Sequence, residues 1–279
     1  MSCLVWNCQG LGGPWTIRHL RDLVRKHNPL LVFLIETKCN AKKLESVKRP
    51  LEMYGVNVNS KGKSGGLGLL WSKEVFVDLM SFSPNHIDAR VRLDDNEDYW
   101  RFTGFYGAPD VRDRHQSSNL LRHLSSISSL SWLCARDFNA IMTNTKKDGK
   151  LDTPQWQLRD FREALTDSRL IDIGFTGDPF TWVNNREYPN TVRKRLDRVC
   201  GNSQWITSWP NTQVSHLERI YSDHAPLLVK RAIEKTKWHT RSSRFIRFEA
   251  QWIESTKCEE VLSKLWHGSS DFDPNGDLM

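Results

Sequence analysis

Ser222-Asp223-His224-Ala225-Pro226-Leu227 sets an acid and an imidazole just ahead of an apolar run, and it ends a series of similar junctions. Upstream, in order, stand Trp6-Asn7, Glu36-Thr37, Tyr106-Gly107, Asp137-Phe138-Asn139 and Arg195-Leu196-Asp197. Each follows or ends a short apolar run, so one sheet edge can gather them all. Taken singly, such motifs have ordinary readings. Asp and Asn favour turns, a Glu at a strand end is a common solvated rim residue, and a residue before Pro is biased to extended geometry. As a set, carboxylates, a carboxamide pair, a tyrosine and a histidine are what phosphodiester hydrolysis requires. Oxygen ligands suit Mg²⁺, which keeps some of its waters. Such a metal offsets charge on phosphoryl oxygens, while a positioned carboxylate takes the proton from an attacking water. A histidine held by a second carboxylate stabilises the phosphate charge or donates to it.

Around these junctions the chain alternates strand and helix patterns. Cys3 to Trp6 and Leu30 to Ile35 are apolar runs suited to strands buried on both faces. Between them Ile17, Leu20, Leu23 and Val24 recur at helical spacing, with Arg18, Arg21, Arg25 and Lys26 on the other face. Ser64-Gly65-Gly66 opens a run to Trp71, and Val75 to Phe82, His86 to Leu93 and Trp100 to Tyr106 follow as an antiparallel meander. Leu120 to Leu124 predicts a helix and Trp132 to Cys134 a strand that delivers Asp137 to a loop. Thr153 as N-cap with Pro154 at the first helical position predicts a helix through Leu158, Phe161 and Leu165. Leu170 to Ile173, Phe180 to Val183, Arg195 to Cys200, Val214 to His216 and Leu227 to Val229 complete the strands. So many strands exceed one open sheet and predict an α/β fold of two packed sheets with helices outside.

Composition narrows the class. At 279 residues the chain holds one large α/β domain, or one domain plus a tail. A formal charge of +7 and a pI near 9.1 favour a polyanionic partner. Cysteines at 3, 8, 39, 134, 200 and 258 form no CxxC pair and no zinc-ligand spacing, which fits a reducing compartment. The N-terminus lacks a secretory pattern, and no 18-residue apolar segment occurs. These features predict a soluble intracellular protein, nuclear or cytoplasmic, with a monomer favoured. The expected divisions are a domain over 1–230, a basic linker and amphipathic helix over 231–268 (Lys235, Lys237, Arg241, Arg244 and Arg247, then Phe248 to Trp266), and a polar, disordered tail over 269–279.

The ordered set Trp6-Asn7-Cys8-Gln9-Gly10, Glu36-Thr37-Lys38, Gly65-Gly66-Leu67, Tyr106-Gly107, Asp137-Phe138-Asn139, Phe180-Thr181-Trp182, Arg195-Leu196-Asp197-Arg198 and Ser222-Asp223-His224 resembles the endonuclease/exonuclease/phosphatase superfamily. Within it the chain is most similar to the endonuclease domain of plant LINE-type (non-LTR) retrotransposons, over roughly residues 2 to 230, with a tail like the linker into their reverse transcriptase. The resemblance implies a four-layer α/β-sandwich of two packed mixed sheets flanked by helices, and Mg²⁺- or Mn²⁺-dependent nicking of DNA. It implies Glu36 as the principal metal ligand, with Asn7 and Asp223 at the metal. Asp137 becomes the base that activates water, Asn139 orients water or phosphate, and Tyr106 reaches the phosphate through its hydroxyl. His224 contacts the scissile phosphate and is held by Asp197. For DNA contact the candidates are Arg193, Lys194 and Arg195, since a guanidinium presents a fork to phosphate. Trp182 and Phe180 join them, and Trp15, beside a motif loop, suits stacking on a base.

Two departures qualify the resemblance. Ala135-Arg136 precedes Asp137 where the family usually has glycine, and a side chain there is expected to tilt Asp137 and lower its pKa, weakening it as a base. The chain also lacks a Tyr/Phe-x-Asp-Asp polymerase signature, so it reads as a truncated element or gene fragment. The alternatives to an active nuclease are a catalytically weak remnant that binds DNA, and a phosphodiesterase or phosphatase acting on a small phosphoester.

Overall fold

The computed structural model describes residues 1–231, Lys63 and Lys150 aside. The expected linker helix and tail lie outside the described residues. In chain order the elements are β1 (Ser2–Asn7), α1 (Pro14–His27), β2 (Leu31–Ile35), α2 (Ala41–Lys48), β3 (Tyr54–Val58), β4 (Leu67–Trp71), β5 (Phe76–Ser83), β6 (His86–Arg92) and β7 (Trp100–Tyr106). There follow α3 (Arg114–Ser126), β8 (Trp132–Asp137), β9 (Lys147–Asp148), α4 (Gln155–Asp167), β10 (Ile171–Asp172), β11 (Trp182–Val183), β12 (Arg193–Lys194), β13 (Asp197–Gly201), α5 (Ser203–Ser208), β14 (Thr212–His216) and β15 (Leu227–Arg231).

Two six-stranded mixed sheets carry the fold, ordered β14-β15-β1-β2-β4-β3 and β10-β13-β8-β7-β6-β5. Among the described strands, only β1–β2 and β7–β8 pair in parallel, each joined through a crossover helix, α1 or α3. The strand alternation sorts side chains into layers. Val5, Phe33, Leu69, Phe102, Leu133, Ala135, Val199 and Leu227 fill the space between the sheets. Leu4, Trp6, Val32 and Leu34 face outward onto Leu20 and Leu23 of α1 and Leu44 and Val47 of α2. Phe105, Trp132, Cys134 and Cys200 face outward onto Leu121 and Leu124 of α3 and Phe161 and Leu165 of α4. Each such Leu contributes roughly 1.5–3 kcal/mol by leaving water. The result is the expected four-layer sandwich.

Several boundaries differ from the sequence reading. Pro154 takes the N-cap position, so α4 starts at Gln155. Strand β13 begins at Asp197 rather than Arg195, because the Leu196 and Asp197 amides both donate to Thr181 Oγ1, each at 3.0 Å. Trp182–Val183 leaves the main sheets for a small third one, ordered β11-β12-β9. A buried ion pair braces the meander: Arg101 Nε lies 2.9 Å from Asp88 Oδ1, and Arg101 Nη1 donates to the Leu124 carbonyl of α3 at 2.7 Å.

Candidate functional site

Alternation that fills the inter-sheet core also aims the polar residues at its rim. Asn7 closes the series Cys3, Val5 on β1, and Asp137 closes Leu133, Ala135 on β8. Tyr106, Asp137 and Asp197 are register partners across β7, β8 and β13, so one rank of the second sheet presents all three. Glu36 follows β2 directly, and Asn7 pairs with Ile35 beside it. His224 precedes β15, the strand that pairs with β1.

These side chains meet. Asn7 Nδ2 donates to Glu36 Oε1 and to Asp137 Oδ2, both at 3.0 Å. Tyr106 donates its hydroxyl to Glu36 Oε1 at 3.0 Å, and Lys38 Nζ lies 3.3 Å from Glu36 Oε2. His224 Nδ1 is 2.8 Å from Asp197 Oδ2, while Nε2 faces Asp137 Oδ2 at 3.7 Å. Asp137 Oδ1 accepts from the Asn139 backbone amide at 2.9 Å, and Asn139 Nδ2 donates to the Gly107 carbonyl at 2.8 Å. Gly107 is needed there, since a Cβ would lie 2.5 Å from the Phe138 carbonyl oxygen. Gln9, Glu36, Lys38, Asn139 and Tyr221 all have positive φ, between 49° and 59°. Left-handed backbone is costly for such residues, and here it gathers in the loops around one site.

Burial shapes the charges. It drives the Asp137 carboxyl up to about 7, helped by Asp197 and opposed by His224. Burial alone would push His224 down, but the carboxylates of Asp197 and Asp137 outweigh it and raise the imidazole to about 10. Tyr106 is pushed above its usual range by burial and by Glu36 and Asp137, so its hydroxyl keeps its proton.

Asp137, Asp197 and His224 bring donor atoms within 4.8 Å of one another. Yet His224 Nδ1 is engaged with Asp197, and a cationic imidazole is no metal ligand. The Glu36 side suits a hard cation better. It offers the Glu36 carboxylate, with Asn7 turning its Nδ2 to it and its Oδ1 to the Gln9 amide, and among the described residues Asp223 Oδ1 is buried without a hydrogen-bond partner. The nearby Cys8 thiol is pushed up to about 12 by burial and stays neutral, so no soft ligand competes.

The expected DNA contacts divide. Lys194 lies half-buried over the Trp182 ring at 5.6 Å, and Arg193 pairs with Asp148 at the surface. Trp182 Nε1 donates to Asp223 Oδ2 at 2.8 Å, which ties the small sheet to the site. Arg195 is a correction. It is 3% exposed and its guanidinium grips both oxygens of Asp172 at 2.8 and 2.9 Å, so the fork expected on phosphate is engaged in a buried ion pair. Trp15 is 58% exposed and stacks on Tyr221, 55% exposed, with ring centroids 6.2 Å apart. Arg136 is a second correction. It points to the outer face of β8, away from Asp137, onto the rings of Phe138, Phe105 and Phe161. Its φ is not positive, so no glycine conformation is required there, and Asp137 is raised rather than lowered. Sequence reasoning missed Ser222, whose hydroxyl donates to the Asn7 carbonyl at 2.7 Å and accepts from the His224 amide at 3.1 Å. It also missed Thr181, and Lys38 as the partner of Glu36. The motifs contained all three, but only the fold shows what they touch.

A family model described as Endonuclease/Exonuclease/phosphatase family matches residues 4–224. No curated protein matches the chain. Among solved structures, the fold is shared with a 3'-5' exonuclease (NExo) from Neisseria meningitidis, at TM-score 0.62 and 18% identity over 83% of this chain and 99% of that one. An AP endonuclease, LMAP, from Leishmania major aligns at TM-score 0.63 and 16% identity over 82% and 86%. The endonuclease domain of TRAS1, a telomere-specific non-LTR retrotransposon, aligns at 0.62 and 13% over 84% and 100%. At these identities the likeness establishes the fold alone.

Proposed function

The chain belongs to the endonuclease/exonuclease/phosphatase family, and from that premise we propose that it is a divalent-metal-dependent endonuclease that nicks DNA. One observation carries the reading: Asp137 lies between the Asn7 amide, which also holds Glu36, and the imidazole of His224, which Asp197 holds. Asp137, with a carboxyl poised near neutrality, takes the proton from an attacking water. The water oxygen then bonds to phosphorus as the bond to the leaving sugar oxygen breaks. Cationic His224 stabilises the charge on the phosphoryl oxygens, and the protonated Tyr106 hydroxyl donates to them. Glu36, with Asn7 and Asp223, would hold Mg²⁺ or Mn²⁺, which when bound supplies further charge stabilisation.

DNA as substrate is supported by the basic charge of the chain, by Lys194 and Trp182 beside the site, and by the exposed Trp15–Tyr221 stack. A Neisseria relative in fold is described as a 3' phosphatase bound to product DNA hairpin. We assign the chain's origin to LINE-type retrotransposons, on the ordered motif set and the shared fold of the TRAS1 domain. Turning Arg136 away from Asp137 removes the reason to expect a weakened base.

The test is nicking of supercoiled plasmid in Mg²⁺. Wild type is expected to nick and EDTA to stop it, with His224→Ala and Glu36→Ala inactive but folded by circular dichroism. Asp137→Asn should lose on the order of 10²- to 10⁴-fold in rate. Metal-independent cleavage, or equal cleavage by these variants, overturns the reading. Phosphate release from a soluble ester with plasmid untouched would move the substrate to a small phosphoester.

A further inference from the structure

Between α3 and α4, on the outer face of the second sheet, lies a cavity of about 670 Å³. Phe105, Phe138 and Phe161 wall it beside Trp156, and Arg136 and Arg114 line it. Arg136 is 2% exposed, and among the described residues it makes no hydrogen bond or ion pair. Its guanidinium lies over the rings of Phe138, Phe105 and Phe161, the last two with centroids at 4.8 and 5.6 Å, and the charges of Arg198 and Asp137 act on it from a distance without bonding it. Ring quadrupoles offset part of the cost of burying a cation, and an anion would offset far more. Burial lowers the Arg136 guanidinium to about 9, so it remains charged at neutral pH.

The other cations of the wall are mostly paired. Arg112 bonds Asp110 and Arg122 bonds Asp167. Arg114 gives Nη1 to Gln157 Oε1 at 3.1 Å and, among the described residues, leaves Nε buried without a partner. Two wall carboxylates, Asp160 and Glu163, form no ion pair with Arg114 or Arg136 among the described residues, and Glu163 lies 3.8 Å from Arg159. The cavity thus joins an apolar interior to two incompletely satisfied guanidinium groups.

We propose that this cavity binds an amphipathic organic anion, a carboxylate or sulfonate on an aromatic or aliphatic body. The anion would bond Arg136, with Arg114 beside it, and the body would lie against the phenylalanine rings and Trp156. Its volume falls within the range of small-molecule sites, which are mostly apolar with a few placed polar groups. Arg136 and Asp137 occupy opposite faces of β8, so this ligand is distinct from anything reacting at Asp137.

A matched pair of fluorescent probes tests this on the full chain: 8-anilinonaphthalene-1-sulfonate, and N-phenyl-1-naphthylamine, which keeps the rings and lacks the sulfonate. Wild type should bind the sulfonate saturably at one site, about tenfold or more tighter than the neutral probe. Arg136→Met, similar in volume and uncharged, should weaken the sulfonate about tenfold and leave the neutral probe unchanged. Ala164→Phe, at the cavity wall, should block both. Equal affinity of wild type for the two probes, no effect of Arg136→Met, or no binding at all would overturn the proposal. The probe pair reads the charge in wild type alone, so the result stands even where a variant fails to fold.

Discussion

Asp137 and His224 share one buried field, so their titrations belong to the pair and appear as two limbs of one pH profile. Asp137 must lose its proton to act as a base, and its carboxyl is held up near 7 by burial. Nicking should therefore rise with pH through about 7. His224 must keep its proton to face a phosphate as a cation, and it loses it toward about 10, so the rate should fall there. A profile of kcat/KM on a duplex oligonucleotide in excess Mg²⁺ should be bell-shaped between these values. Asp197 is the largest influence holding the imidazole up. Asp197→Asn should therefore move the alkaline limb down by about one unit or more, leaving the acid limb near 7 or slightly below. An unmoved alkaline limb would remove His224 from the charged role. Arg136→Gly should bring no gain in nicking, because the side chain it deletes faces the helices and not Asp137. A gain would mean that the strand carries strain to its catalytic end by a route the packing does not show.

Whole elements depend on polar contacts as well as apolar ones, and the meander of β5, β6 and β7 makes the point. Asp88 and Arg101 are fully buried, and Asp88 accepts from Arg101 and from Thr103, whose Oγ1 in turn accepts from Trp132 Nε1 at 2.7 Å. Removing one partner strands the other charge. Asp88→Ala should cost about 3–5 kcal/mol in urea unfolding, well above a surface change. The site lies at the far end of β7, so an enzyme still folded at low temperature should nick normally. The same contrast explains which elements the sequence revealed. The Leu31-Val-Phe-Leu-Ile run of β2 declares itself because the strand is buried on both faces, and the apolar stripe of α1 because that helix buries one continuous face. Strand β3 did not, since Gly55 and Asn57 break its pattern. Gly55 is there because a Cβ would lie 2.5 Å from Leu70 Cδ2 and 2.8 Å from the Leu69 carbonyl oxygen. Helix α2 escaped notice because Ala41 to Lys48 buries only Leu44 and Val47 and owes its start to Asn40, which caps the Lys43 amide at 3.0 Å.

Across the molecule, the motif residues were legible because each sits where an apolar run ends. Their order along the chain could not show that Tyr106, Asp137 and Asp197 occupy one rank, since register is set by pairing between positions 31 and 60 residues apart. Charge misled for the same reason. Arg193, Lys194 and Arg195 look alike in sequence, yet Arg195 closes on Asp172, 23 residues away, and is buried. Lys194 is the opposite case: burial first, and then the charges of Lys147 and Arg114, push its ammonium down, so a negative charge added beside it is favourable. An anionic backbone laid there would supply that charge. If DNA follows this path, binding should weaken steeply with salt, and Lys194→Ala should lower the slope of log K against log salt by about 0.9, the release of one counterion. Arg195→Ala should leave that slope unchanged and instead destabilise the fold, because it leaves Asp172 with Arg198 alone at 2.8 Å. Anisotropy of a labelled duplex in EDTA, titrated from about 50 to 200 mM salt, separates the two. A slope that responds to Arg195 and ignores Lys194 would require the Asp172 pair to open on binding, and would place the nucleic acid on a different face of the small sheet.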